Sequence, residues 1–236
     1  SIRAIDSICE VAHKMNLKVH MDGARLMNAI IATCTEKQIP LEDWKSVLQD
    51  TVKSVDSVSI CLSKGLGAPI GSVLCGSKEF IANAHRWRKV LGGGMRQAGI
   101  LAAGGLFALR NNVIRLNDDH MRAKALADRI TECCPCFKPV EKEDISTNIL
   151  FLYLQEDHIL PAAGELPARD CLTMHKYLTK LGVLVHAGEK ERMRVCTNLH
   201  ITDHDIDYTL ACFHAMCTAL YPKEGSPAEA APEQTN

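Results

Sequence analysis

Two residues of opposite charge share a setting that suggests common chemistry. In "SICLSKGLGAPIG" (59–71) an alternating run ends at Ser63 and Lys64, and Gly65, Gly67, Pro69 and Gly71 then crowd the chain. In "HMDGAR" (20–25) a second alternating run ends at Asp22. Taken alone, Ser-Lys-Gly is an ordinary surface turn, and Asp22 an ordinary turn or helix-capping acid. Together they fall at the carboxyl ends of two expected strands, where open parallel sheets bind their ligands. A carboxylate and an amine offered to one crevice suit pyridoxal 5'-phosphate, which is held on a lysine with an acidic partner at its pyridinium nitrogen. The acid keeps that nitrogen protonated, so the ring can accept electrons. The lysine must shed its proton to react, and a neighbouring cation lowers its pKa. Arg25 is the candidate cation, and its guanidinium also suits the ring hydroxyl. Glycines at 65, 67 and 71 let backbone approach a cofactor without Cβ clashes.

The elements that must position these residues can be read from hydrophobic periodicity. Helices are expected over 2–15, where Ile5, Ile8 and Cys9 recur at helical spacing, then over 23–34, 40–52 and 78–90. A long helix rich in small residues follows from Arg96 to Leu116. Strands are expected at 17–21, 55–62 and 71–77. From Asn117, a candidate N-cap, the chain turns more polar. A helix, a strand (147–154), a helix stopped by Gly182, strands at 183–187 and 192–199, and a last helix capped by Thr202 complete the pattern. The expected architecture is α/β: residues 1–116 form part of a large domain with a mostly parallel sheet, and residues 117–221 a smaller α+β domain. Residues 222–236 are Pro/Glu/Ala-rich and read as disordered.

Composition bounds the partners. The chain has 236 residues, 47% of them apolar, and a net charge of −1, so no global electrostatic pull favours nucleic acid or an anionic membrane. Its charge-free stretches, 97–109 and 208–222 among them, fall short of the ~20 residues a bilayer demands. Eleven cysteines, several at apolar periodic positions, suit a reduced cytoplasmic protein. The one cluster, Cys133, Cys134 and Cys136 in "CCPC", lacks the second ligand pair of a zinc site. His200 and His204 lack the glutamate of a zinc hydrolase motif. The basic stretch "HRWRK" (85–89) is a helix face or an interface more readily than a nucleic-acid site.

Four segments in order, "HMDGAR", "CLSKGLGAP", "RWRKVLGGGMRQAG" and "RVCTNLHI", resemble the low-specificity L-threonine aldolase family, whose members are fold type I pyridoxal-phosphate enzymes. The resemblance runs from residue 1 to about 215. It implies roles by position. Lys64 would carry the cofactor, Asp22 would face the pyridinium nitrogen and Arg25 the ring oxygen. Lys89 and Arg96 would sit near the cofactor phosphate, reaching from a neighbouring subunit of a dimer or tetramer. Arg194 would bind the carboxylate of a β-hydroxy amino acid, as its bidentate fork allows. The implied reaction cleaves threonine or allo-threonine to glycine and acetaldehyde. The segment Arg194-Val195-Cys196-Thr197-Asn198 departs from the family's Arg-x-Val-Thr-His, and the stretch between Asn28 and Asp56 is longer than in bacterial relatives, which implies an extra surface helix around Trp44.

Two other readings stand beside this one. The chain begins with Ser1 inside a helical pattern, and the family's N-terminal phosphate-binding turn and ring-stacking histidine precede the matched region. A truncated, catalytically inactive fragment is therefore an alternative, and these residues alone are expected to show little aldolase activity. The third reading is β-elimination by the same cofactor.

Overall fold

The structure, a computed structural model, describes residues 2–138, 140, 145–161 and 167–222. The stretch expected to be disordered lies, beyond Pro222, outside the described residues. The chain divides into two compact units, Ser1–Asn117 and Asp118–Asn236.

In the first unit, α1 (Ile2–Lys14), β1 (His20–Gly23), α2 (Leu26–Glu36), α3 (Trp44–Val52), β2 (Ser57–Cys61), β3 (Ser72–Gly76), α4 (Lys78–Val90) and α5 (Gly99–Asn111) follow one another. The sheet has the order β1-β2-β3. β1 and β2 are parallel, with Asp22 opposite Ser59. β3 runs antiparallel to β2. The reason is the short connection, 62–71, since a parallel return needs a crossover of a dozen residues or more. The sheet is thus mixed, with one pairing of each kind.

Helix α2 is the hub of this unit, because its apolar residues line two sides. Leu26, Ile30 and Cys34, spaced four apart, pack with Val47 of α3 and Val58 of β2. Met27 and Ile31 pack with Leu62, Leu66, Ala68, Ala108 and Leu116. The second cluster forms the floor under the Lys64 turn. Helix α3 is no mere surface addition: Val47 and Thr51 are buried, and Trp44 and Leu48 pack against both clusters.

Several local expectations shift. Leu17–Val19 lie outside β1, because the Asp56 side chain takes the Val19 amide, which donates to Asp56 Oδ2 (2.8 Å), while the Val19 carbonyl is shared by Asp56 N (3.0 Å) and Ser57 N (3.3 Å). His13 and Lys18 close on the same carboxylate at 2.8 and 2.9 Å, tying the end of α1 to the start of β2. Ile8, expected in the core, is exposed, whereas Cys9 is buried. The helix expected over 96–116 is shorter: α5 ends at Asn111 and turns at 112–115 before α6 (Leu116–Cys133) begins. Asn117 is therefore inside α6 and caps nothing; its Oδ1 accepts from Thr35 Oγ1 at 3.2 Å.

The second unit holds most of α6, then β4 (Ile149–Tyr153), α7 (Cys171–Lys180), β5 (Arg192–Cys196) and α8 (Asp203–Leu220). β4 and β5 form an antiparallel ribbon with Phe151 opposite Arg194. Leu150, Leu152, Met193 and Val195 share one core with Leu126 and Ile130 of α6, Met174 and Leu178 of α7, and Phe213 and Met216 of α8. Residues 183–187 form no strand, only a bridge between His186 and Arg194. Cys134 and Cys136 are core residues. Cys134 Sγ donates to the Phe213 carbonyl (3.1 Å), and Cys136 Sγ lies 3.5 Å from Cys217 Sγ. Among the described residues no group of three or more His, Cys, Asp or Glu is placed to hold a metal ion.

Candidate active site

Parallel pairing brings the carboxyl ends of β1 and β2 to one edge of the sheet. Asp22 is exposed there, and its Oδ1 accepts from the Ala24 amide at 3.0 Å, which opens the turn into α2. Gly23 has no room for a side chain. A Cβ would lie 2.7 Å from the Ser59 carbonyl oxygen and 3.2 Å from Leu26 Cβ. The missing side chain is what lets β1, β2 and α2 converge beside Asp22. Arg25 precedes α2 and makes no capping bond. Its Nε is buried without a hydrogen-bond partner among the described residues. A buried donor left unpaired is costly, and in a native protein it points to a polar group that completes the site.

Lys64 stands three positions beyond β2 in a turn closed on itself. Gly67 N donates to the Lys64 carbonyl (2.8 Å), Ala68 N to Leu62 O (2.9 Å), and Leu62 N to Gly71 O (2.9 Å). Gly67 takes φ +71, a conformation glycine adopts without steric cost. Leu62, Leu66 and Ala68 are buried in the floor cluster, while Ser63 and Lys64 are exposed. Gly65 presses directly on that floor: a Cβ there would meet Leu116 Cδ2 at 2.7 Å and Asn28 Oδ1 at 3.1 Å. Burial on alternate sides of the turn leaves the lysine projecting outward. It makes no ion pair among the described residues. Its charge is felt by Cys61. Burial raises that thiol's pKa, but hydrogen bonds with Ser63 and Ser72 and the nearby charge of Lys64 together outweigh it and bring it below the ordinary value.

Lys89, in the last turn of α4, and Arg96 are brought together. With His85, Arg86 and Arg88 they line a pocket of about 540 Å³ that contains no acidic residue. Gly94 folds onto the lysine, since a Cβ there would sit 2.7 Å from Lys89 Cδ. No hydrogen bond or ion pair among the described residues links this pocket to Asp22, Arg25 or Lys64.

Arg194 belongs to the second unit. On β5 it alternates with buried Met193 and Val195, so its side chain leaves the core. Its backbone pairs with His186 in both directions, at 2.7 and 3.0 Å. Arg192, two positions earlier, is engaged: it bonds Glu189 at 2.7 Å and stacks 5.4 Å over the Phe151 ring. Arg194 has no side-chain ion pair among the described residues and stays available.

One residue of the first unit was missed by sequence reading. Asn112, at the end of α5, is buried and donates its Nδ2 to the Leu66 carbonyl at 2.7 Å. Nothing in the local pattern of "LRNNV" marks it, because its partner is 46 positions away.

The residues present fit pyridoxal phosphate in kind: a lysine over a glycine turn and a buried guanidinium nitrogen, both without a partner among the described residues, and an acid on the adjoining parallel strand. Comparison with known proteins agrees. A family model described as beta-eliminating lyase matches residues 1–157. The chain is 42% identical over 212 residues to a probable low-specificity L-threonine aldolase 2 of Arabidopsis thaliana, covering 90% of this chain and 54% of that protein. It is 42% identical over 163 residues to a low specificity L-threonine aldolase of Escherichia coli K12, covering 69% of this chain and 44% of that protein. The chain thus spans about half the length of the curated relatives it matches. Among solved structures, a putative L-allo-threonine aldolase from Listeria monocytogenes aligns with TM-score 0.64 and 18% identity, over 89% of this chain and 55% of that one. An N-acetylornithine aminotransferase from Stenotrophomonas maltophilia aligns with TM-score 0.57 and 21% identity, over 90% of this chain and 50% of that one. These likenesses show the fold, the mixed α/β arrangement of fold type I enzymes.

Proposed function

The chain belongs to the beta-eliminating lyase family, and from that footing we propose that its protein is a pyridoxal-phosphate aldehyde-lyase of the threonine aldolase type. The substrate is a β-hydroxy amino acid, threonine or allo-threonine. Cleavage of its Cα–Cβ bond yields glycine and acetaldehyde; the β-hydroxyl gives up a proton and Cα gains one. The observation that carries the reading is the unpaired Lys64 on its glycine turn, with Asp22 at the same end of the adjoining parallel strand.

When bound, pyridoxal phosphate supplies an electron-withdrawing ring. The chain supplies position and charge. Lys64 would hold the cofactor through its side-chain amine. Asp22 would face the ring nitrogen and hold a proton there. Arg25, whose Nε is buried without a partner among the described residues, would serve the ring oxygen. Lys89 and Arg96 of a neighbouring copy, in a pocket lined by no acidic residue, would bind the phosphate. Arg194 receives the substrate carboxylate in a bidentate pair.

Self-association is part of the proposal. Val90, Leu91, Ile100 and Phe107, from the end of α4 through α5, are exposed by 72, 79, 83 and 63%. So dense an apolar surface marks an interface, and a second copy of the chain is the occupant that also brings Lys89 and Arg96 to a site. No helix among the described residues is long and apolar enough to cross a membrane. Eleven free cysteines support a reducing compartment, which we take to be the cytoplasm.

The test is direct. The protein is loaded with pyridoxal phosphate, reduced with borohydride, and digested, and the labelled lysine is mapped. The label is expected on Lys64 and absent in Lys64→Ala; a label on Lys89 would refute the assignment. Product analysis then decides the chemistry. Glycine and aldehyde support the proposal, while a keto acid with ammonia would favour β-elimination, the activity for which the family is described. The relatives' names favour the aldolase over the inactive-fragment reading.

A further inference from the structure

We propose that Asn112 is a positioning residue for Lys64, holding the lysine's turn at a fixed height above the floor of the first unit. This rests on the assignment of Lys64 as the cofactor-bearing residue.

Three backbone bonds close the 62–71 turn on itself. None of them ties it to the helices behind. Such a loop can keep its shape and still rock as a body. Asn112 supplies a tie from outside. Its buried amide donates to the Leu66 carbonyl at 2.7 Å, two residues beyond the lysine. The bond is directional, so it fixes the height and the tilt of the peptide at 66. Gly65 supplies the stop beneath, with Leu116 Cδ2 and Asn28 Oδ1 occupying the space a Cβ would need. A stop at 65 and a tether at 66 leave the Lys64 Cα little freedom, while its exposed side chain keeps its own. That is the combination a lysine needs if its amine is to leave and return to one carbon. Reacting groups misplaced by ~1 Å lose about 100-fold in rate. Sites hold such tolerances only when a supporting shell locks the residues that carry them.

A buried carbonyl needs some donor whatever its role, so the experiment must separate positioning from mere satisfaction of Leu66. Asn112→Asp keeps size and shape but sets a carboxylate oxygen against the Leu66 carbonyl where an N–H stood. In the full-length, cofactor-loaded protein, three measurements are compared with wild type. Amide exchange at Gly67 and Ala68 is expected to quicken at least ~10-fold, with amides of α2 and α8 unchanged. The pH midpoint of the visible absorbance of the lysine-bound cofactor is expected to move. The kcat is expected to fall about 100-fold with KM within a few-fold. Faster exchange with an unchanged absorbance profile and unchanged kcat would overturn the proposal. If Asn112→Asp does not fold, Asn112→Ala is measured in the same way; failure of both to fold would make Asn112 a general structural residue and also overturn it. Borohydride mapping in wild type tests the underlying assignment separately. A label elsewhere than Lys64 removes that assignment and the proposal with it, whereas a label on Lys64 with no effect of Asn112 removes the proposal alone.

Discussion

Replacing Gly23 by alanine isolates one contact at the site. The new Cβ would lie 2.7 Å from the Ser59 carbonyl oxygen, 3.1 Å from Val58 Cγ2 and 3.2 Å from Leu26 Cβ. The nearest of these is backbone in the middle of β2, which cannot rotate away. To regain an ordinary contact the strands must part by about 0.7 Å, which stretches a ~2.9 Å ladder bond to ~3.6 Å, beyond hydrogen-bonding range. Overpacking of this kind costs ~1–3 kcal/mol, and a ladder bond lost adds ~1 kcal/mol. We expect the first unit to lose ~2–4 kcal/mol, a fall in melting temperature on the order of 10 °C. Trp44 and Trp87, the two tryptophans of the sequence, both lie in that unit, so their fluorescence in urea reports it without the second. Gly99→Ala is the control. It is helical with nothing within 4 Å of its Cβ position, and the change should be neutral or slightly stabilising. The strand shift also carries Asp22 away, so kcat should drop in Gly23→Ala even at temperatures where the unit is folded. Equal urea midpoints for Gly23→Ala and Gly99→Ala would refute the steric reasoning.

Four further outcomes are expected. With Arg194 in its proposed role, Arg194→Lys would lose a bidentate carboxylate contact worth ~1.5–3 kcal/mol, so KM for the amino acid should rise about 10- to 100-fold, and an unchanged KM would return Arg194 to an ordinary strand residue. Asp56 is held well below the usual carboxylate range, first by the Val19 amide and then by His13 and Lys18. Its stabilising effect is therefore present at neutral pH and lost as pH falls below the unfolded value of 3.8; Asp56→Asn should flatten the acid limb of the first unit's stability curve, and an acid limb identical to wild type would contradict this. Thr202→Ala removes a capping box with Asp205 and should destabilise the second unit by ~1 kcal/mol in urea unfolding, with no change in the first. Phe107→Glu on α5 should dissociate the assembly by light scattering and lower activity with it; an intact oligomer would place the interface elsewhere.

What the sequence revealed and what it hid divide by the distance over which each feature is decided. Helix α4 was legible end to end, because Ser77 caps it three residues from its partner Phe80 N and the apolar spacing lies within the helix. Thr202 with Asp205, and Gly182 at φ +78 after α7, were legible for the same reason. Lys64 and Asp22 were legible as strand-end residues, since alternation followed by glycine is a local signal. Errors arose where a distant group competed with the local pattern. "LKVHM" alternates like a strand from Leu17, but the Asp56 carboxylate takes the Val19 amide, and the register with β2 begins only at His20. "VLVHA" alternates too, yet it meets β5 at a single bridge. Asn117 looks like a cap, but α6 starts one residue before it and its side chain accepts from Thr35. Asn112 is the extreme case: in sequence it is one of two adjacent asparagines after a helix, and only folding brings α5 behind the Lys64 turn. The reacting groups of such a site are therefore easier to find than the residues that aim them. A nucleophile must be reached by its cofactor, so it sits at a strand end with glycines around it, a pattern written in consecutive letters. An aiming residue must be buried and must meet its partner across the fold, and burial across a fold has no local spelling.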